Sequence, residues 1–190
     1  MRLRLNDPLV TSIDYKGKEY DIDLAFDNVL DVFDVLKIPH LHPYAKAKKC
    51  LEYLLDEETY EEQQVIDLWN YIFENFIIFE RKKPIEYDLK GNPMPVHEDD
   101  EEEQHIDIAQ DAELIYASFL QAYNIDLYQH QGKMHWHLFK SLLNGLPSNT
   151  ILQRIVQIRA WKPSKHDSAE DKKNMEKLQS IYALEDNEPE

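Results

Sequence analysis

The sequence predicts a mainly α-helical bundle with a small N-terminal β-hairpin. Three features predict it. Only four of the 190 residues are glycine, while Leu, Glu, Lys and Ala are abundant. Apolar residues recur at helical spacing through most of the chain. One early stretch, Val10 to Asp23, alternates instead, with a turn at Lys16-Gly17. A 43% hydrophobic, 11% aromatic composition belongs to a globular chain. One compact domain is the default at this length, large enough for a core without disulfide staples.

In the hairpin, Ile13 and Tyr15 lie on one face and Tyr20 and Ile22 can pair with them. A lone hairpin is marginal in water, so it must lean on helices. Leu24 to Leu36 reads as a helix with Phe26, Val29, Leu30, Phe33 and Leu36 in its apolar stripe. Pro43 suits a first helical position, opening a helix to Leu55. Thr59 and Glu62 have capping-box spacing, ahead of a stripe of Val65, Ile66, Trp69, Ile72, Phe73 and Phe76. Ile106 to Tyr123 reads as one amphipathic helix carrying Ile108, Leu114, Ile115, Phe119 and Leu120, with Asn124 placed for a left-handed cap. Met134 to Asn144 is a further helix, stopped by Gly145 and Pro147. Thr150 and Gln153 form a second capping box, and the helix they open ends before Pro163. Ser168 caps the last helix, whose acidic first turn suits the helix dipole.

Three parts follow: residues 1–83 with the hairpin and helices, an acidic proline-containing loop at 84–105, and a C-terminal helical part at 106–190. The loop holds a continuous acidic run from Glu98 to Glu103, whose like charges resist compaction. It is a solvated insertion or an arm for a basic partner.

The formal charge of -16 opposes binding to nucleic acid or anionic lipid. Lys162, Lys165, Lys172 and Lys173, with Trp161 beside them, form a basic patch too small to reverse that. No run is long and apolar enough to span a membrane, and the N-terminus lacks the apolar segment of a signal peptide. A cytosolic setting is expected.

The segment "GKMHWHLFKSLLNGLP", Gly132 to Pro147, is the strongest temptation towards chemistry. Yet His135 and His137 stand two apart, and on a helix such positions diverge by roughly 200°. Metal ligands on one helix usually stand three or four apart. Packing or capping histidines are the better reading, with Trp136, Phe139 and Leu143 facing the core and Leu138 and Leu142 extending that face. His97, His105 and His130 complete no ligand spacing. The single cysteine, Cys50, has no nucleophile signature and reads as a buried thiol. Ser141 and Ser148 lack an elbow sequence. Asp111 in "DAEL" could suggest a two-metal nuclease, but an acid in an early helical turn explains it. The expectation is no catalytic residue, no metal and no cofactor.

The stretches "QDAELIYASFLQAYNIDL", "MHWHLFKSLLNGLPSNT" and "IRAWKPSK", with the final helix ending "YAL", resemble a bacteriophage and prophage family known as gene product fifteen. The opening "DPLVTSIDYKGKEYDID" is similar to the family's start. Asn124 stands where members often have glycine, and His137 where they often have an aromatic; both exchanges are physically mild. The resemblance implies a tail-module protein of long-tailed phages, encoded near the tape measure gene. It further implies a tail assembly chaperone in the host cytoplasm that binds the tape measure protein, with the tail tube protein as a second partner. Tape measure proteins are long and helical, with apolar stripes that self-associate unless covered. A helix-in-groove contact could cover them. The aromatics named for such a face are Trp136, Phe139, Trp161 and Tyr182; as plain core residues they would have no such role. An acidic DNA mimic that inhibits host DNA-binding proteins and a structural tail component are the competing readings.

Overall fold

The computed structural model describes residues 6–55, 62–78, 105–165 and 167–185. Thr59 of the Thr59–Glu62 box, the acidic run and all of the loop at 84–105 but its last residue lie outside them. The fold is mainly helical with one two-stranded antiparallel hairpin. The chain divides into two compact units, Met1–Glu80 with Tyr128–Asn144, and Arg81–Leu127 with Gly145–Glu190.

The first unit opens with β1 (Ser12–Tyr15) and β2 (Lys18–Asp21), in the register Ile13 opposite Tyr20. Lys16 and Gly17 both take positive φ, 52° and 81°. That pair of angles matches the right-handed twist of the flanking strands. The hairpin leans on a helix as expected: the Tyr15 and Tyr71 rings meet at 5.2 Å, and Lys16 pairs with Asp67 at 3.5 Å.

α1 (Phe26–Lys37) buries Phe26, Val29, Val32 and Val35. The expected stripe is rotated: Leu30, Phe33 and Leu36 are only half-buried. α1 is apolar over a wide arc, so periodicity alone could not centre its face. α2 (Pro43–Leu54) begins at Pro43 as expected, and the His42 ring nitrogen Nδ1 accepts from the Tyr44 N–H. Cys50 of α2 is fully buried, its thiol 3.9 Å from the Val32 carbonyl.

α3 (Glu62–Ile72) buries Val65, Leu68, Trp69 and Ile72 and runs into a π-helical turn, Phe73–Ile77. Ile66, expected in the stripe, is exposed. It sits about 100° round the helix from Val65, and Leu68 holds the inward position instead.

α5 (Trp136–Asn144) also belongs to the first unit. It is led in by backbone bonds from Phe26 to the Met134 carbonyl, 2.8 Å, and from Trp136 to the Leu24 carbonyl, 2.7 Å. His135 is paired with Ala25 in an antiparallel bridge and Met134 stands in a bend, so α5 begins two residues later than the spacing suggested.

The second unit holds α4 (Ala112–Tyr123), α6 (Ile151–Arg159) and α7 (Ala169–Tyr182). α6 packs on both α4 and α7. Its core is Ile115 and Phe119 from α4 with Leu152 and Ile155 from α6, joined by Leu127 and Leu146 from the connecting segments. α4 starts six residues later than Ile106. The Asp107 carboxylate accepts from the Ala109 and Gln110 N–H groups, closing a local turn that competes with helix. Leu120, expected on the apolar face, is exposed, while the small Ser118 is buried. Asn124 ends α4 in the left-handed conformation, φ 54°, as expected.

Thr150 precedes α6, but its hydroxyl turns back to donate to the Pro147 carbonyl at 2.8 Å, so the expected capping box does not form. Ser118 of α4 supplies the cap: its hydroxyl oxygen accepts from the Leu152 N–H at 3.1 Å. Ser168 caps α7 as expected, accepting from the Asp171 N–H at 3.0 Å.

Candidate functional site

Trp136 and Phe139, the first two residues named for a partner face, lie inside the first unit, 2% and 1% exposed. Phe139 stacks between Phe26, ring centroids 5.0 Å apart, and Trp136, 5.6 Å apart. The Trp136 Nε1–H donates to the Ile77 carbonyl at 3.0 Å. Tryptophan suits this place because its apolar body fills the core while its N–H satisfies a buried carbonyl at the end of the π-helical turn. A helical stripe looks the same in sequence whether its own chain or a partner covers it, and here its own chain does.

Trp161 and Tyr182, the other two, sit in the second unit and are half-buried. Their backbones are held: the Trp161 carbonyl accepts from Gln179 at 2.8 Å, and the Tyr182 carbonyl from Arg159 Nε at 2.6 Å. The large apolar side chains open to solvent in this unit are Ile181 at 61% exposure, Leu120 and Ile151. Leu120 and Ile151 flank the α4–α6 contact, where Gln121 donates to the Asn149 carbonyl. In the first unit Tyr128, Leu9 and Leu138 are the most exposed. Sequence periodicity set Leu120 and Leu138 on core faces, and both are exposed, because it locates apolar faces without saying what covers them.

The two histidines have architectural geometry. His135 precedes α5, and its Nδ1 accepts from the His137 N–H at 3.2 Å, capping the helix start. Nδ1 is therefore the acceptor, and Nε2 carries the proton donated to the Val10 carbonyl at 3.3 Å. Because His135 stands outside the helix, its ring comes within 5.0 Å of the His137 ring despite their spacing. Burial lowers the pKa of both. For His135 the Val10 contact and the Asp23 charge oppose that lowering. His137 falls to about 4, with His135 and Lys140 reinforcing the effect of burial.

Asp111 is held by Arg159 rather than aimed at a metal. Two bonds of 2.7 and 2.8 Å join the guanidinium to both carboxylate oxygens, and Arg159 also donates to the His105 carbonyl at 2.8 Å. Sequence spacing gave no signal for this pair: α6 carries both Arg154 and Arg159, and nothing local tells which of them turns inward. Among the described residues, no group of three or more His, Cys, Asp or Glu side chains could hold a metal ion. The Ser141 hydroxyl donates to the His137 carbonyl within its own helix. Burial pushes the Cys50 thiol up to about 12. Lys162, Lys165 and Lys173 lie at the surface and Lys172 is half-buried. No described helix is long and apolar enough to cross a membrane.

No curated protein and no solved structure matches the chain. A protein family does, described as bacteriophage Gp15 protein, over residues 5–184. That match takes in both compact units, the hairpin and every helix from α1 to α7, so the chain belongs to the bacteriophage Gp15 protein family.

Proposed function

We propose that this phage protein is a tail assembly chaperone that binds the tape measure protein through helical surface of its second unit, in the host cytoplasm, without catalysing a reaction. The observation that carries the reading is α7. This 14-residue helix buries none of its side chains. Met175, Leu178 and Tyr182 are half covered, and Ile181 is largely bare. An amphipathic helix in that state can pair with a second apolar stripe, as helix-in-groove partners do. Membership of a phage family supports an assembly or structural role. The charge of -16 would keep a complex with an aggregation-prone partner dispersed. Tail tube protein would later displace the chaperone.

The test is co-expression with the tape measure protein. The wild type should raise its soluble fraction, and Ile181→Lys should reduce that gain while leaving thermal stability unchanged. A tape measure protein equally soluble with and without the chain would overturn the reading. Mass spectrometry of purified virions separates a chaperone, absent from the particle, from a structural tail component, present in it.

A further inference from the structure

We infer that α7 is a strap, held by polar tethers, that opens on its own while the α4–α6 core of the second unit stays folded. The core side chains Ile115, Phe119, Leu152 and Ile155 come from α4 and α6, and Leu127 and Leu146 from the segments that follow α4 and precede α6. α7 contributes no buried side chain. Three tethers hold it. Gln179 Nε2 donates to the carbonyls that end α6, at 3.0 Å to Ile158, 3.2 Å to Arg159 and 2.8 Å to Trp161. Arg159 Nε donates to the Tyr182 carbonyl. Beyond the helix, Gln110 and Glu185 exchange two bonds, 3.0 and 2.8 Å, the side-chain amide imitating a strand partner.

Each tether joins a side chain to backbone in an exposed or half-buried setting, where water can take its place. The start of α7 is closed by its own Ser168–Asp171 box, independent of α4 and α6. Segments with little apolar burial open sub-globally, before the core does. Opening frees Met175, Leu178 and Tyr182 together. The strap follows from packing alone; its use by a helical partner rests on the tail-assembly reading.

Native-state hydrogen exchange on the full chain, followed by mass spectrometry, tests it. Amides of residues 172–182 should exchange at least about tenfold faster than those of α4 and α6. Gln179→Ala should speed α7 several-fold further and leave α4 and α6 unchanged. Equal exchange across the three helices, or a Gln179→Ala effect shared equally by all of them, would overturn the strap. A tape measure helix added to the wild type should slow exchange in α7. If α7 exchanges fastest but ignores that helix, the strap stands and the tail-assembly reading is weakened.

Discussion

Arg159 and Asp111 meet as a two-pronged ion pair across 48 residues of sequence, with side chains only 10% and 2% exposed. The same guanidinium reaches the His105 and Tyr182 carbonyls. One arginine thus joins the approach to α4, the end of α6 and the end of α7. The planar fork of arginine supplies donors in enough directions to do this, whereas lysine presents a single point of charge.

Removing one member should be worse than removing both. Arg159→Met leaves a buried carboxylate without its counter-charge and should cost about 3–5 kcal/mol in urea unfolding. Adding Asp111→Leu should recover part of that loss. A single-variant cost below about 1 kcal/mol would make the pair energetically equivalent to a surface contact.

Trp136→Phe tests the indole N–H alone. It leaves the Ile77 carbonyl without that donor and should cost about 1–3 kcal/mol. Trp136→Ala also empties the stack on Phe139 and should cost about 3–5 kcal/mol. If Trp136→Phe is neutral by chemical denaturation, the bond to the π-helical turn contributes nothing.

Acid should weaken the first unit through its histidine pair. The unfolded chain takes up protons at the ordinary value of 6.5, whereas both folded imidazoles resist them, His137 down to about 4. Their stabilisation is complete above 6.5 and is lost as pH falls below it, for His137 down to about 4, because the unfolded state binds more protons in that window. Asp23 softens the loss at His135, and Lys140 sharpens it at His137. Urea midpoints between about pH 7.5 and about pH 5 should fall less steeply for His137→Gln than for the wild type.

The start of α6 offers a direct comparison of two caps. Ser118→Ala strands the Leu152 N–H in the core and should cost about 1–3 kcal/mol. Gln153→Ala should stay within about 0.5 kcal/mol, because the Thr150 N–H that a capping box would give it already bonds the Pro147 carbonyl at 3.0 Å. Thermal unfolding of the two variants decides between them.

Local chemistry was legible in the sequence and tertiary choice was not. The Lys16-Gly17 turn, Pro43, Asn124 and Ser168 each act within a few residues of themselves, and each stands where the sequence put it. Ser118 reaches 34 residues along the chain to cap α6, and Arg159 reaches 48 to Asp111. No window of helical spacing contains such a partner. The same gap separated Trp136 and Phe139 from Ile181. All three continue apolar stripes, but only the first two are covered by the protein's own helices.

Cys50 has a practical use that follows from its seat against Val32. A thiol with a pKa near 12 and no solvent contact is inert to alkylation at neutral pH while α1 and α2 are closed. Each labelling event must therefore count an opening of that helix pair. Timed iodoacetamide trapping on the unaltered protein would give the closed-to-open ratio of the first unit from the chain's single sulfhydryl.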